Sequence, residues 1–378
     1  MIKIIKPVKA MSRRAQWALC FAVLMFFAAA LYLLWTTARA ERAPAELESF
    51  AMGSYVRQTV WGGESVPAAA YQRISNLENL ISWRREGSDT ALINAAAGKR
   101  PAEIDEYTFR LLEEVLELCG RSGGALDVTL GPVTRLWDFD SSPHVPDTEA
   151  LESALALVDS QKCLLGEDAA LAFSTAAEEQ LNGKPLDSCA ALADGGMALD
   201  LGAVGKGAAC DAAVREYQEA GADAAVIAVG GSVGLFGEKP DRKPFRVSVR
   251  DPKGEGSLGI LELSEGFVST SGSYEKCFVQ DGTTYHHLLD PHTGYPASSG
   301  LVSVTVFCPP GYKNAGALSD GLATACFVLG LDESLPLLES YGAQALFVTE
   351  DSEIFLTGEL LERFSLTAGL DYTIAEGR

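Results

Sequence analysis

Three of the chain's four histidines fall within seven residues, in the run Tyr285-His286-His287-Leu288-Leu289-Asp290-Pro291-His292-Thr293-Gly294-Tyr295-Pro296. Imidazole and carboxylate at this density suit proton transfer or ligand binding. Pro291 and Pro296 remove backbone donors and Gly294 permits positive φ, so the run reads as a turning loop. If extended, His286 and His287 point to opposite faces, and one at most meets a given ligand. A hydrogen-bonded structural role suits His286. A zinc site would need more converging imidazole or thiolate. Ser269-Thr270-Ser271-Gly272-Ser273-Tyr274-Glu275 precedes the run, and no G-x-S-x-G nucleophile signature occurs.

Two further groups carry chemistry. In Asp200-Leu201-Gly202-Ala203-Val204-Gly205-Lys206-Gly207, three glycines allow a backbone to approach a ligand and Lys206 adds a charge suited to phosphate. The spacing is not that of a P-loop, and a structural turn with an exposed lysine fits equally well. In Asp320-Gly321-Leu322-Ala323-Thr324, positions i and i+4 share a helix face. Asp320 and Thr324 thus offer two hard oxygens suited to Mg²⁺ with water and phosphate. The alternative is a solvated face with Asp320 as a first-turn acid.

The elements that must position these groups are legible in part. Tyr55–Val60 alternates like a strand and ends at Gly62-Gly63. Residues 69–80 and 105–119 read as amphipathic helices, the second stopped by Gly120. Ala125–Thr129 reads as a short extended piece and residues 147–158 as a helix. Residues 170–200 carry short strands around an acidic loop. Leu199–Gly207 moves from strand through a glycine-rich turn into a helix that runs to Ala220. Strands follow at 224–229, 245–250, 259–263 and 301–308, then a helix over 319–329 and a hairpin over 344–349 and 353–356. Strands and helices intermix, which indicates an α+β or α/β class.

The acidic excess is concentrated. Six basic residues and no acid lie in residues 1–40, so the remainder sets 24 basic groups against 51 acidic ones, a formal −27. That surface disfavours nucleic acid and anionic lipid. Trp17–Trp35 is uncharged, apolar and long enough to span a bilayer, with five basic residues before it. It is expected to be a membrane anchor with the rest of the chain outside the cytoplasm; a signal peptide cleaved near Ala38-Arg39-Ala40 is the competing reading. The expected organisation is a basic stub and anchor over 1–40, a linker over 41–47 and one catalytic domain over 48–370. Seven cysteines lie beyond the run without C-x-x-C spacing, which suits small buried apolar residues, with one disulfide open.

Taken in order, these segments resemble the ApbE family, the FAD:protein FMN transferases, over roughly residues 48–365. The resemblance rests on Ala51-Met52-Gly53-Ser54, Gly124–Pro132, Asp200–Gly207 with Asp211, Gly230-Gly231, Thr270–Glu275, His287–Gly294 and Asp320–Thr324. It implies an α/β sandwich (T-fold-like) of two intimate lobes, with the site between them. It also implies Mg²⁺-dependent transfer of FMN from FAD to a threonine or serine of a target flavoprotein, releasing AMP. The implied metal ligands are Asp320, Thr324 and the carbonyl of Ala203. The implied FAD contacts are Met52, Trp83, Ala125, Leu126, Asp127, Asp200, Lys206, Tyr274, His287 and Leu289. His287 and Asp290 are the two candidates for the base, beside Lys206 as phosphate partner. The acceptor would be a domain of a membrane redox complex. Two departures lie near the expected flavin pocket: Ala228 and Val229 precede and Ser232 follows the Gly-Gly pair, where the family commonly has Asn and Asp, and His292 replaces the usual Arg. An FAD pyrophosphatase using water as acceptor, and a non-catalytic flavin-binding surface protein, are the alternative functions.

Overall fold

The computed structural model describes residues 13–40, 43–173 and 188–375. It divides into two units, Met1–Pro44 and Ala45–Arg378. The first contains one helix, Arg13–Ala40, whose described side chains include exposed Trp17, Phe21, Leu24, Phe26 and Phe27. Among the described residues no helix is long and apolar enough to cross a membrane, so the expected span is not found there.

The second unit is built on a nine-stranded sheet whose spatial order follows the chain: β1 (Ala45–Ala51), β2 (Ser54–Trp61), Ala224–Val229, Ser232–Gly237, Gly266–Gly272, Leu301–Cys308, Gln344–Thr349, Glu353–Leu356 and Thr373–Ile374. All neighbours pair antiparallel except the last two, which are parallel. Consecutive residues of a strand face opposite sides of a sheet. Ala345 and Phe347 therefore join the core beneath the helices, while Leu346 and Val348 join a second core. That second core is shared with the small sheet formed by Phe245–Arg250, Ser257–Leu263 and Phe364–Leu366. The helices Val66–Ile81, Glu106–Arg121, Gly202–Glu219 and Ala315–Leu329 cover the other face. This is the layered α/β architecture expected.

Five local expectations change. Strand β1 begins at Ala45, so Ala45–Leu47 are strand rather than linker. Gly120 does not stop its helix, which continues to Arg121; the chain reverses at Gly123 and Gly124, both at positive φ. Ala125–Thr129 is a turn, not a strand: Asp127 Oδ1 accepts from the amide and hydroxyl of Thr129, and its Oδ2 from Ser160 N at 2.9 Å. Gly202, Gly205 and Gly207 lie inside the helix Gly202–Glu219 instead of a turn before it. The helix expected at Ser319 begins at Ala315, because Asp211 caps it from a neighbouring element. The acidic segment 174–187 lies outside the described residues. Among the described residues no disulfide forms, and six of the seven cysteines are buried, with Cys277 exposed.

Candidate active site

The site begins with a crossing of two helices. A Cβ on Gly207 would stand 2.0 Å from the Gly316 carbonyl oxygen, and one on Gly316 would stand 2.4 Å from that of Gly207. Only glycine at both positions lets the lysine helix (Gly202–Glu219) and the aspartate helix (Ala315–Leu329) meet backbone to backbone. The crossing is locked by Asp211, whose two oxygens accept from the amides of Gly316 and Ala317, each at 2.9 Å. Burial pushes the Asp211 carboxyl up to about 7, against the pull of those amides.

The same crossing delivers Asp320 to the lysine helix. Its side chain is almost wholly buried, and Oδ2 accepts from Gly207 N at 3.0 Å and lies 3.5 Å from Lys206 Nζ. Lys206 Nζ also reaches the Gly202 carbonyl at 3.5 Å. Thr324 donates to the Asp320 carbonyl at 3.3 Å, and its hydroxyl meets Ser271 Oγ at 3.2 Å. In an α-helix the Gly207 amide lies against the carbonyl of Ala203, four residues earlier. The Ala203 carbonyl thus belongs to the same helical turn as the donor that binds Asp320. One carboxylate, one hydroxyl and one helix carbonyl would make an all-oxygen set of the kind a small hard cation takes. Among the described residues no group of three or more His, Cys, Asp or Glu side chains converges. A cation here would thus draw its remaining ligands from water or from the substrate. The Lys206 ammonium places a positive charge beside Asp320.

Other expected residues form the surrounding walls. Asp200 accepts from Gly202 N at 2.9 Å and from Thr134 Oγ1 at 3.1 Å, tying the start of the lysine helix to its neighbour. Met52 sits at φ 55, uncommon for a residue with a side chain, and its Cε lies 3.1 Å from the place a Cβ on Gly205 would take. Leu126 packs toward Gly321 of the aspartate helix. The Arg84 and Arg135 guanidiniums stand 4.2 and 4.8 Å from the centroid of the Trp83 ring. Arg84 is ion-paired with Asp140, which Lys276 also holds at 2.5 Å.

His287 is held neutral. Burial, then the positive charges of Lys206 and Lys276 and the neighbouring His286, pull its imidazole down to about 4. Its Nδ1 and the Trp83 Nε1 are buried without a partner among the described residues. A buried ring nitrogen without a partner is a group that a bound polar ligand would complete, and the one on His287 lies within the electrostatic reach of Lys206. Ala125 and Asp127 stay in the turn described above, and a cavity of about 530 Å³ opens there, lined by Gly123, Gly124, Asp127, Ser160 and His292.

Three expected residues do other work. Asp290 organises its own loop: Oδ1 accepts from His292 N at 2.9 Å and Oδ2 from Thr293 Oγ1 at 3.2 Å. Leu289 is buried with Trp137 in a separate apolar cluster. Tyr274 packs over Gly272, with the Arg250 guanidinium 5.2 Å from its ring centroid. Sequence reasoning had no role for Gly316 or Ser319. Ser232, at one of the departures, joins a buried hydroxyl chain through Ser269 to Ser319, at 3.1 and 2.8 Å. The small-residue run Ala315-Gly316-Ala317 was the available signal for the crossing.

Comparison with known proteins shows the family. The ApbE family model matches residues 52–347. The FAD:protein FMN transferase of Treponema pallidum (strain Nichols) is 35% identical over 299 residues, spanning 76% of this chain and 77% of the relative. That of Klebsiella pneumoniae (strain 342) is 30% identical over 307 residues, spanning 80% and 88%. The crystal structure of the ApbE protein of Thermotoga maritima superposes with TM-score 0.73 at 28% identity, covering 85% of this chain and 99% of that one. The apo flavinyl transferase ApbE of Pseudomonas stutzeri gives 0.70 at 26%, covering 85% and 96%. With most of its length matched by the family model and by relatives in sequence, this chain belongs to the ApbE family.

Proposed function

We propose that the chain is a Mg²⁺-dependent FAD:protein FMN transferase, moving FMN from FAD to a threonine or serine hydroxyl of a flavoprotein and releasing AMP. The observation that carries this reading is the buried Asp320 carboxylate on the Gly207 amide, 3.5 Å from Lys206 Nζ, with Thr324 one turn along. A pyrophosphate entering a protein with a net charge of −21 needs concentrated positive charge. Lys206 supplies part of it. Asp320, Thr324 and the Ala203 carbonyl would hold Mg²⁺, which supplies Lewis-acid and templating chemistry at the diphosphate when bound.

The transfer forms one P–O bond and breaks another. The acceptor oxygen bonds to the flavin-side phosphorus, the anhydride bond breaks, and its electron pair leaves on AMP. The hydroxyl proton must go to a base. His287 suits that role because its depressed pKa leaves it unprotonated at neutral pH and its buried Nδ1 has no hydrogen-bond partner among the described residues. Asp290 suits it less, because its oxygens hold the loop. Lys206 can pair with the phosphate that leaves on AMP. Trp83 would place its indole N–H on the dinucleotide, with Arg84 and Arg135 lying over its ring.

The apolar run Trp17–Trp35, its exposed side chains and the basic residues before it support a single-pass anchor in the cell membrane. The catalytic unit then lies outside the cytoplasm, and the acceptor is a domain of a membrane redox complex.

The test is incubation with FAD, Mg²⁺ and a candidate acceptor domain, reading both the mass of the domain and free FMN. A flavin adduct on a hydroxyl residue is the expected result. FMN and AMP release at the same rate with and without the acceptor would instead make water the acceptor and the chain a pyrophosphatase.

A further inference from the structure

The hairpin that carries Met52 has an unusual outer surface. Strand β1 is the first of the nine-stranded sheet, and no strand pairs with its outer edge among the described residues. Phe50 and Tyr55 face each other across the hairpin, 5.7 Å apart and edge to face. Both lie in the open, 60% and 81% exposed. A contacting aromatic pair in water is a poor use of apolar surface unless something covers it.

Backbone direction adds a second feature. The Tyr55 carbonyl accepts from Gly230 N at 3.1 Å and so points away from β1. The pair Phe50–Tyr55 is therefore a non-hydrogen-bonded pair of the antiparallel ladder. The N–H and C=O of Phe50 turn outward off the free edge, and by the two-residue repeat those of Glu48 do the same. The outward carbonyl of Phe50 takes only a long 3.4 Å bond, from Tyr71. Strand β1, Ala-Glu-Leu-Glu-Ser-Phe-Ala, has no proline, lysine or bulge to blunt this edge.

Position decides what the edge is for. The hairpin turn ends on the site: Met52 packs against Gly205, while a Cβ on Gly230 would lie 2.7 Å from Ser54 Oγ and 3.4 Å from Lys206 Cδ. Ser54 and the Lys206 stem thus flank one glycine. Resting on the transferase reading above, a protein acceptor must bring a hydroxyl to a phosphorus held near Lys206. Its polypeptide must therefore pass over the surface bordering that lysine. We infer that β1 and the Phe50–Tyr55 pair are the acceptor-docking surface. An extended segment of the acceptor protein adds a strand to the outward backbone groups of Glu48 and Phe50. It places an apolar side chain on the aromatic pair, which leads its hydroxyl residue past Met52 to the site.

Two kinds of variant test this. Glu48→Pro removes an outward N–H and leaves the β1–β2 ladder its bonds, and the ion pair it loses with Arg57 is exposed on both sides. Phe50→Ser and Tyr55→Ser remove the apolar pair. The probe is an acceptor domain that the wild-type chain labels, with FAD affinity followed separately by flavin fluorescence. The expected result is an acceptor KM raised tenfold or more in each variant, with kcat and FAD affinity within twofold of wild type. An unchanged acceptor KM overturns the docking surface while leaving the transferase reading intact. So does an unchanged KM accompanied by a shift in oligomeric state or in binding to lipid vesicles, which would assign the pair to a second copy or to a membrane. FAD affinity falling in parallel would place these residues in the nucleotide site and also overturn it. If the wild type labels no acceptor, the transferase reading fails, and the docking surface with it.

Discussion

At the scale of single residues, the chemistry rests on how few charges are buried and what faces each. Asp320 has a lysine and an amide, Asp211 has two amides, and His287 is buried with the positive charges of Lys206 and Lys276 near it and the Asp140 carboxylate in electrostatic reach. Removing Asp320 leaves Lys206 without its carboxylate and the cation without its one acidic ligand. Asp320→Ala should lower turnover about a hundredfold or more, as loss of a preorganised electrostatic group does. It should also abolish the rise in melting temperature that Mg²⁺ gives the wild type through mass action. For His287 the sign follows from its depressed folded value of about 4 against an ordinary value near 6.5. The unfolded chain binds the proton more readily, so this contribution to stability is present above about 6.5 and is lost as pH falls through 4. Urea unfolding of FAD-free protein across that window should show the loss, and His287→Gln should flatten it. The histidine run announced itself in the sequence by density alone. A structural place for His286 was also expected, but its partner was not, because Phe327, 41 residues further on, packs edge to face on it only in the folded chain.

At the scale of elements, the decisive feature is the contact between two helices. The glycines at 202, 205 and 207 looked like a turn because glycine commonly serves turns, yet here they lie within a helix, with Gly205 facing Met52 and Gly207 facing Gly316. The partner of Gly207, Gly316, lies more than a hundred residues away; the small-residue run Ala315-Gly316-Ala317 hints at a close approach, but nothing local says to what. Gly207→Ala and Gly316→Ala each drive a methyl into a backbone carbonyl. Each should cost about 3 kcal/mol, the upper end for overpacking, and lower Mg²⁺ affinity along with the melting temperature. Asp211, read in the sequence only as part of a motif, proves to be the cap that starts the aspartate helix four residues before its expected beginning. Its raised value of about 7 means that the stability associated with its protonated form is present below about 4 and lost as pH rises through 7. The Asp211→Asn variant should therefore lose less stability than wild type between pH 5 and 8, measured by urea midpoint. Strands rich in apolar and β-branched residues, such as Leu301–Cys308 and Gln344–Thr349, were legible because a sheet covered on both faces selects apolar residues throughout.

At the scale of the whole molecule, the sheet serves as a frame that carries three distant stretches to one point. The β1–β2 turn brings Met52, the lysine helix brings Lys206, and the aspartate helix brings Asp320 and Thr324. Their order in the chain was legible as a family pattern, which also implied one shared site; the helix crossing that brings Lys206 and Asp320 together was not legible. A large acidic excess surrounds that point, so catalysis should depend on a cation more than on any one side chain. The most direct test is the mass of an acceptor domain after incubation with FAD and the chain, in Mg²⁺ or in excess chelator, for wild type and Asp320→Ala. The account predicts a flavin adduct only for wild type with Mg²⁺. Labelling of equal extent in chelator, or by the alanine variant, would contradict it.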